Sequence, residues 1–238
     1  MSSVSIIIPA YNEEKRLPPT LKQIQNYISE KNLEHEIIIV SDGSTDNTAG
    51  AAENFPGLNI RVIENKKHRG KGYCVNTGVS NAQKDIILFS DADMSTPIKY
   101  LDDFLALHEN GFDVVIASRA LNRKIIKQKQ PFIRDHMGRF FNFLARKITG
   151  LEILDTQCGF KSFRKNAAKH IFSRQTIFDF GFDVEILYIA KLHNFSIKET
   201  PVAWSDSPGT KVNPLKDSIK MFFDLINIKL KHKKGVYS

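Results

Sequence analysis

The sequence predicts an open α/β fold, a mostly parallel central sheet flanked by helices. Three observations lead there. Short runs rich in Ile and Val recur at 4–8, 36–40, 59–63, 85–89 and 113–117. They are nearly continuous in apolarity, as expected of strands covered on both faces. Helical patterns lie between them, and strand–helix alternation with short links implies crossover connections within one sheet. Polar clusters also follow three of the runs, at 9–14, 41–48 and 90–97, and in such sheets ligands bind beyond the carboxyl ends of the strands.

The elements justify themselves in order. After the first strand, 13–30 carries Leu17, Leu21, Ile24 and Ile28 at spacings of three and four, the apolar face of a helix. The second strand runs into Asp-Gly-Ser-Thr, a turn with capping chemistry, and a helix over 46–54, where Asp46 is expected to cap. The fourth ends in Ser-Asp-Ala-Asp, after which Ser-Thr-Pro opens a helix over 98–109. Two further helices are predicted near 131–148 and 214–230. Phe132, Ile133, Met137, Phe140, Phe141, Leu144 and Ile148 stripe the first; Leu215, Ile219, Phe222, Phe223, Ile226 and Leu230 stripe the second.

The 238 residues, 42% apolar and 25% charged, suit a single domain with a real core. The longest apolar runs, such as 37–40 and 114–117, are far short of the ~20 residues that span a bilayer. Pro9 and the pair Glu13–Glu14 interrupt the first apolar run too early for a signal peptide. Two cysteines, Cys74 and Cys158, make no disulfide framework, so a cytoplasmic setting is expected. Cys158 is expected to pack as a small buried residue. The net charge of +8 divides unevenly: residues 1–118 hold 11 Lys/Arg against 16 Asp/Glu, and 119–238 hold 23 against 10. An acidic half beside a basic one points to a cation or nucleotide site next to an anion-binding surface.

Carboxylates gathered at neighbouring strand ends repel one another unless something positive lies between them. A divalent cation is the simplest answer, and Asp91 and Asp93, with water and phosphate oxygens, suit Mg²⁺ or Mn²⁺. The seven histidines show no metal-ligand spacing, and most are expected at the surface.

PAYNEE (9–14), DGSTDNT (42–48), HRGKGYCVNTG (68–78) and DAD (91–93) resemble glycosyltransferase family 2, with its GT-A fold. DTQCGFKSF (155–163), GFDVEILYIA (181–190) and GTK (209–211) look like its dolichyl-phosphate glucosyltransferase branch, near the dolichyl-phosphate mannose synthases. The resemblance implies that 1–118 holds the nucleotide-sugar and metal and that 119–238 serves the acceptor. Pro9, Ala10 and Tyr11 would pack beside a uracil, while Glu13 and Asp42 accept from the base or ribose. Arg69 and Lys71 would add positive charge. Asp93 would be the direct metal ligand, with Ala92 beside it and Asp91 on metal-bound water or ribose; Lys211 would sit near the diphosphate. Two departures from the mannose synthases, Ser95 where Gln is common and no arginine in the 204–211 stretch, lean towards UDP-glucose.

On the acceptor side the resemblance implies phosphate contacts at Arg119 and at one of Arg134 or Arg139, with Arg123 and Arg146 read as surface charges. Asp155 and Gln157 would face the DAD motif as sugar- or metal-shell residues. For a hydroxyl acceptor, Asp155 or Asp183 would be the base; Asp183 otherwise caps its helix. The expected activity is inverting, metal-dependent transfer of glucose from UDP-glucose to a polyprenyl or dolichyl phosphate. Basic, Phe-rich amphipathic helices suit a membrane surface, here the cytosolic face of a membrane. The alternatives are a sugar-hydroxyl acceptor in surface-polysaccharide or glycolipid assembly, or a non-catalytic peripheral membrane protein, which leaves Asp42, Asp91 and Asp93 without purpose. Nucleic acid is disfavoured, because the aromatics sit on apolar stripes rather than among basic loops.

Overall fold

The computed structural model describes residues 3–126, 128, 132–206 and 214–238, with the side chains of 132–134 and 214–218 outside the description. The five predicted runs become β1 (Val4–Ala10), β2 (His35–Ser41), β3 (Ile60–Glu64), β4 (Ile86–Ser90) and β5 (Val114–Ser118). With β6 (Phe160–Arg164) and β7 (Ile197–Pro201) they form one sheet in the order β3-β2-β1-β4-β6-β5-β7. β1 pairs in parallel with β2 and β4, β2 with β3, and β5 with β7. β6 runs antiparallel between β4 and β5, and this is how "mostly parallel" is realised.

Successive strand residues point to opposite faces, so continuously apolar strands feed two cores. Ile7, Ile38, Ile87 and Ile116 join one; Ile6, Ile37, Leu88 and Val115 join the other. The second is covered by α1 (Leu17–Lys31), α2 (Thr48–Glu53) and α4 (Leu101–Glu109). Leu17, Leu21, Ile24 and Ile28 of α1 are buried, as their spacing predicts. Asp46 accepts from the Thr48 amide at 3.1 Å at the start of α2. The first face is covered by α3 (Lys71–Asn81), α5 (Phe132–Thr149), α6 (Lys165–Phe172), α7 (Phe182–Leu192) and α8 (Pro214–Lys233).

The stripes read on α5 and α8 mix two faces. Phe141 of α5 is buried and Leu144 and Ile148 pack on the core, but Phe140 is 63% exposed. α8 turns Met221, Leu225 and Ile228 inward, whereas Ile219, Phe222, Phe223, Ile226 and Leu230 lie outside, Phe223 at 58% exposure. α8 is therefore apolar on more than its core face.

β6 carries the least legible feature, a fully buried lysine within a strand, Lys161. Its Nζ donates to the Cys158 carbonyl at 2.7 Å and to Asp183 Oδ1 at 2.5 Å, and lies 5.2 Å from the Phe89 ring centroid. Asp183, at the first turn of α7, is itself only 2% exposed. Removing one member of such a pair leaves a buried charge alone, and Lys161→Met is expected to lower the unfolding free energy by about 3–5 kcal/mol. Urea unfolding checks this; a loss below about 1 kcal/mol would mean that Asp183 finds another partner or a proton.

Candidate active site

A cleft of about 400 Å³ opens over the carboxyl ends of β1, β2, β4 and β5. Pro9 and Ala10 at the end of β1 line it, with Tyr11 and Glu13 following. Tyr11 and His68 both line it, with ring centroids 4.6 Å apart and planes tilted by 44°. His68 Nδ1 lies 2.8 Å from Asp42 Oδ2. Asp42 also accepts from the amides of Arg69 at 2.8 Å and Gly70 at 2.9 Å, and from Asn65 Nδ2 at 3.1 Å. The carboxylate expected to read a base or ribose thus already anchors the loop that carries Arg69 and Lys71. Arg69 itself lies over the Tyr73 ring, 3.7 Å from its centroid. Glu13 is buried and held by Arg16, whose Nε donates to Oε2 at 2.6 Å.

The DAD residues stand at mid-cleft. Lys71 Nζ lies 2.6 Å from Asp91 Oδ1. Burial works against the Lys71 ammonium, but Asp91 and Asp183 outweigh it and hold its pKa above the ordinary lysine value. Asp91 reaches this place only because residue 159 has no side chain: a Cβ on Gly159 would lie 2.0 Å from Asp91 Oδ2. Asp93 accepts from the Ser95 amide at 3.0 Å, and Arg16 Nη1 stands 3.9 Å from its Oδ2. Burial, then the neighbouring Asp91, raises the Asp93 carboxyl above its usual range. Ala92, between them, is buried and turns its carbonyl to Thr20 Oγ1 at 2.7 Å.

Arg119, Gln157 and Trp204 form the wall opposite Tyr11. Arg119, at the end of β5, donates from Nε to Asp155 Oδ2 at 2.7 Å and from Nη2 to Oδ1 at 2.8 Å; its own amide donates to Oδ2 at 2.9 Å. Asp155 is 2% exposed. Burial would raise its pKa, but Arg119 prevails and holds it below the ordinary carboxylate range. Asp155, expected as a base for a hydroxyl acceptor, is thus paired with Arg119, and a carboxylate locked to a guanidinium is a poor proton acceptor. The same fork commits three of the Arg119 donors, leaving less of it for an acceptor phosphate than expected. Asp183 lines the cleft but is bound to Lys161, which fits neither a free base nor a simple cap. Gln157 faces the cleft, and its Nε2 is buried with no hydrogen-bond partner among the described residues.

Arg139 stands apart, exposed on α5 in an adjoining cavity that shares Arg119, Gln157 and Trp204 with the cleft. Lys211 and the side chain of Arg134 lie outside the described residues. The cleft draws on both parts of the chain, since Gln157, Gly159, Asp179, Phe180, Asp183 and Trp204 border it together with the residues before 119. Arg16, His68 and Trp204 were not among the expected site residues. Arg16 had a signal, standing three residues after Glu13 beside a helix start, and Trp204 is the sole tryptophan. His68 opens the HRGKGYCVNTG segment and is exposed, as expected of most histidines, whereas His108 is buried on Ser162 Oγ at 2.7 Å.

No group of three or more His, Cys, Asp or Glu converges among the described residues. Two adjacent carboxylates fit Mg²⁺ or Mn²⁺ when a ligand's phosphate oxygens and water complete the shell, since Mg²⁺ commonly binds one or two carboxylates plus substrate phosphates. Asp93 is the freer of the two, because Lys71 already holds Asp91.

Comparison with known proteins decides the family. The model described as Glycosyl transferase family 2 matches residues 5–172. The chain belongs to glycosyltransferase family 2. This glycosyltransferase is 34% identical over 248 aligned positions to the dolichyl-phosphate beta-glucosyltransferase of Dictyostelium discoideum, covering 98% of this chain and 76% of that protein. It is also 34% identical to the Homo sapiens protein of the same name, over 98% and 77%. Its fold is similar to that of glucosyl-3-phosphoglycerate synthase from Mycobacterium tuberculosis. A complex of that protein with phosphoglyceric acid superposes with TM-score 0.69 at 16% identity, over 97% of this chain and 79% of that one. A complex with Mn²⁺, UDP and glucosyl-3-phosphoglycerate gives 0.66 at 18%, over 97% and 79%. The glycosyltransferase thus has the expected GT-A fold.

The Arg119–Asp155 pair predicts a pH signature. A depressed folded-state pKa adds stability that is present above the unfolded value of about 3.9 and is lost as pH falls through the folded value. In Arg119→Met the buried Asp155 loses its counter-ion and burial raises its pKa, so the stability gap between wild type and variant is expected to be widest near neutrality and to narrow on acidification from above the ordinary carboxylate range downwards. Urea unfolding at a series of pH values tests it; a gap independent of pH would show that Asp155 is not the group titrating.

Proposed function

We propose that this glycosyltransferase moves glucose from UDP-glucose to the phosphate of a dolichyl or other polyprenyl phosphate with inversion. The chain would act as one domain, its cleft holding the donor and its α5–α8 side the acceptor. The observation that carries the reading is the state of the cleft's carboxylates. Asp155 is locked to Arg119, Asp183 to Lys161, and Asp91 to Lys71. A hydroxyl acceptor needs a base, and these pairings leave neither Asp155 nor Asp183, the two carboxylates expected in that role, uncommitted for it. A phosphate acceptor is already an anion and attacks without one. The names of the relatives support the same acceptor.

In this reading the uracil lies by Pro9, Ala10, Tyr11 and His68, with Glu13 kept in place by Arg16 and Asp42 fastening the following loop. Lys71, Arg16 and, beyond the described residues, Lys211 lower the cost of bringing a diphosphate next to Asp91, Ala92 and Asp93. Asp93, with Asp91 beside it, would hold Mg²⁺ or Mn²⁺, which when bound supplies positive charge to the leaving diphosphate. Gln157, with its unpartnered amide, would donate to the sugar or the incoming phosphate. Arg119, Arg139 and Arg134 would attract that phosphate. Asp93→Ala is expected to lower kcat by about 100-fold or more and to abolish Mn²⁺-dependent UDP binding. Near-normal turnover in a radiolabel transfer assay to a short polyprenyl phosphate would remove the metal role.

The lipid would approach over α5 and α8. These helices pack together and expose Phe140, Phe143, Phe222, Phe223 and Ile226, bordered by Arg139, Arg146, Lys147 and Lys229. Aromatic rings among acyl chains with cations at headgroups describe peripheral binding at a membrane's cytosolic face. No helix of the described residues is long and apolar enough to cross a membrane. Phe140→Asp with Phe223→Asp is expected to reduce sedimentation with anionic liposomes several-fold while leaving the melting temperature within a few degrees, because both rings are already in solvent. Loss of folding would return those rings to the core.

A further inference from the structure

The loop that carries Lys71 leans on a segment whose own support lies far away in sequence. A Cβ on Gly70 (φ +99°) would stand 2.4 Å from the Phe178 carbonyl oxygen, so loop and segment touch backbone to backbone. The Tyr73 amide donates to that carbonyl at 3.2 Å, and Gln175 Nε2 donates to the carbonyls of Gly72 at 3.1 Å and Ile177 at 2.7 Å. Residues 175–178 are thus the back wall of the Lys71 loop. The wall is fastened by Glu185 of α7, a carboxylate with no exposed surface. Its Oε2 accepts from the amides of Thr176 at 2.9 Å and Ile177 at 2.8 Å; its Oε1 accepts from the Thr176 hydroxyl and, at 2.7 Å, from the Tyr237 hydroxyl.

A buried carboxylate is tolerable only when its oxygens are filled by donors. Among the described residues no lysine or arginine nitrogen bonds Glu185, and Lys231 reaches Thr176 Oγ1 instead, at 2.6 Å. Tyr237 is therefore one of few groups that hold this charge in place. It is 2% exposed, and His193 Nε2 donates to its carbonyl at 2.7 Å. Neither the nucleotide site nor the acceptor surface accounts for so committed a phenol.

We propose that Tyr237 is a positioning residue for the donor site: its hydroxyl keeps Glu185 on Thr176 and Ile177, and so keeps the Lys71 loop closed on the cleft. This rests on the reading of the cleft as a UDP-sugar site. The test titrates UDP with Mn²⁺ into the full chain by calorimetry and measures steady-state transfer from UDP-glucose. Tyr237→Phe is expected to raise the UDP Kd and the UDP-glucose KM about 3–10-fold, the worth of one buried hydrogen bond, with kcat within about twofold. Tyr27→Phe is the control. It deletes a phenol–carboxylate bond away from the cleft, from the buried Tyr27 to the partly exposed Asp102 at 2.8 Å, on the other face of the sheet. It is expected to lower the melting temperature without moving Kd or KM. Should Tyr237→Phe fail to fold, Lys231→Met, which loosens Thr176 from the other side, carries the same expectation. Unchanged UDP binding in Tyr237→Phe, or equal weakening in Tyr27→Phe, would overturn the positioning role. A wild type that binds no UDP would overturn the donor-site reading itself, and this proposal with it.

Discussion

Repulsion among carboxylates at the carboxyl edge of the sheet is the constraint on which the rest of the structure depends. Asp42, Asp91, Asp93, Asp155 and Asp183 come from four places in the chain and lie in or beside one cleft. Each is answered differently. Backbone amides and His68 fill Asp42, Lys71 meets Asp91, Arg119 meets Asp155, and Lys161 meets Asp183. Among the described residues Asp93 has Ser95 close by and Arg16 at a distance, and burial with the neighbouring Asp91 raises its pKa. The most weakly compensated of these carboxylates is the one proposed to take a cation.

These pairings also hold the elements together. Lys161 ties β6 to α7, Arg119 ties the end of β5 to the segment before β6, and Asp42 ties the end of β2 to the loop before α3. Breaking a pair would therefore disturb both the charge balance and the wall of the cleft. The bonds around Glu185 extend the same logic behind the cleft, where hydrogen-bond donors rather than a cation satisfy a buried charge. The outer surface obeys a different rule. α5 and α8 bury one apolar face against the sheet and present another to their surroundings, which a free-standing soluble core does not require.

Much of the fold was legible because continuous Ile/Val runs and helical spacings depend only on local geometry. The five strands of the first half and α1 follow that reading closely. β6 escaped it because a buried lysine contradicts the pattern of a buried strand, and the distant Asp183, with the Cys158 carbonyl, makes the placement tolerable. The faces of α5 and α8 were blurred because both helices carry apolar residues on more than one side. Periodicity reports that a stripe exists, not which stripe meets the core.

In the site, residue types and order along the chain were enough to single out the strand-end carboxylates, while Lys71 and the DTQCGFK segment came from the resemblance to a family. The tertiary structure alone decided their surroundings: that Asp155 is Arg119's counter-ion, that Arg16 and His68 join the cleft, and that Tyr237 bonds Glu185. The physical reason is distance. Charge compensation acts between groups tens of residues apart in the chain, so the sequence by itself determined which charges exist, while folding determined which of them remain free.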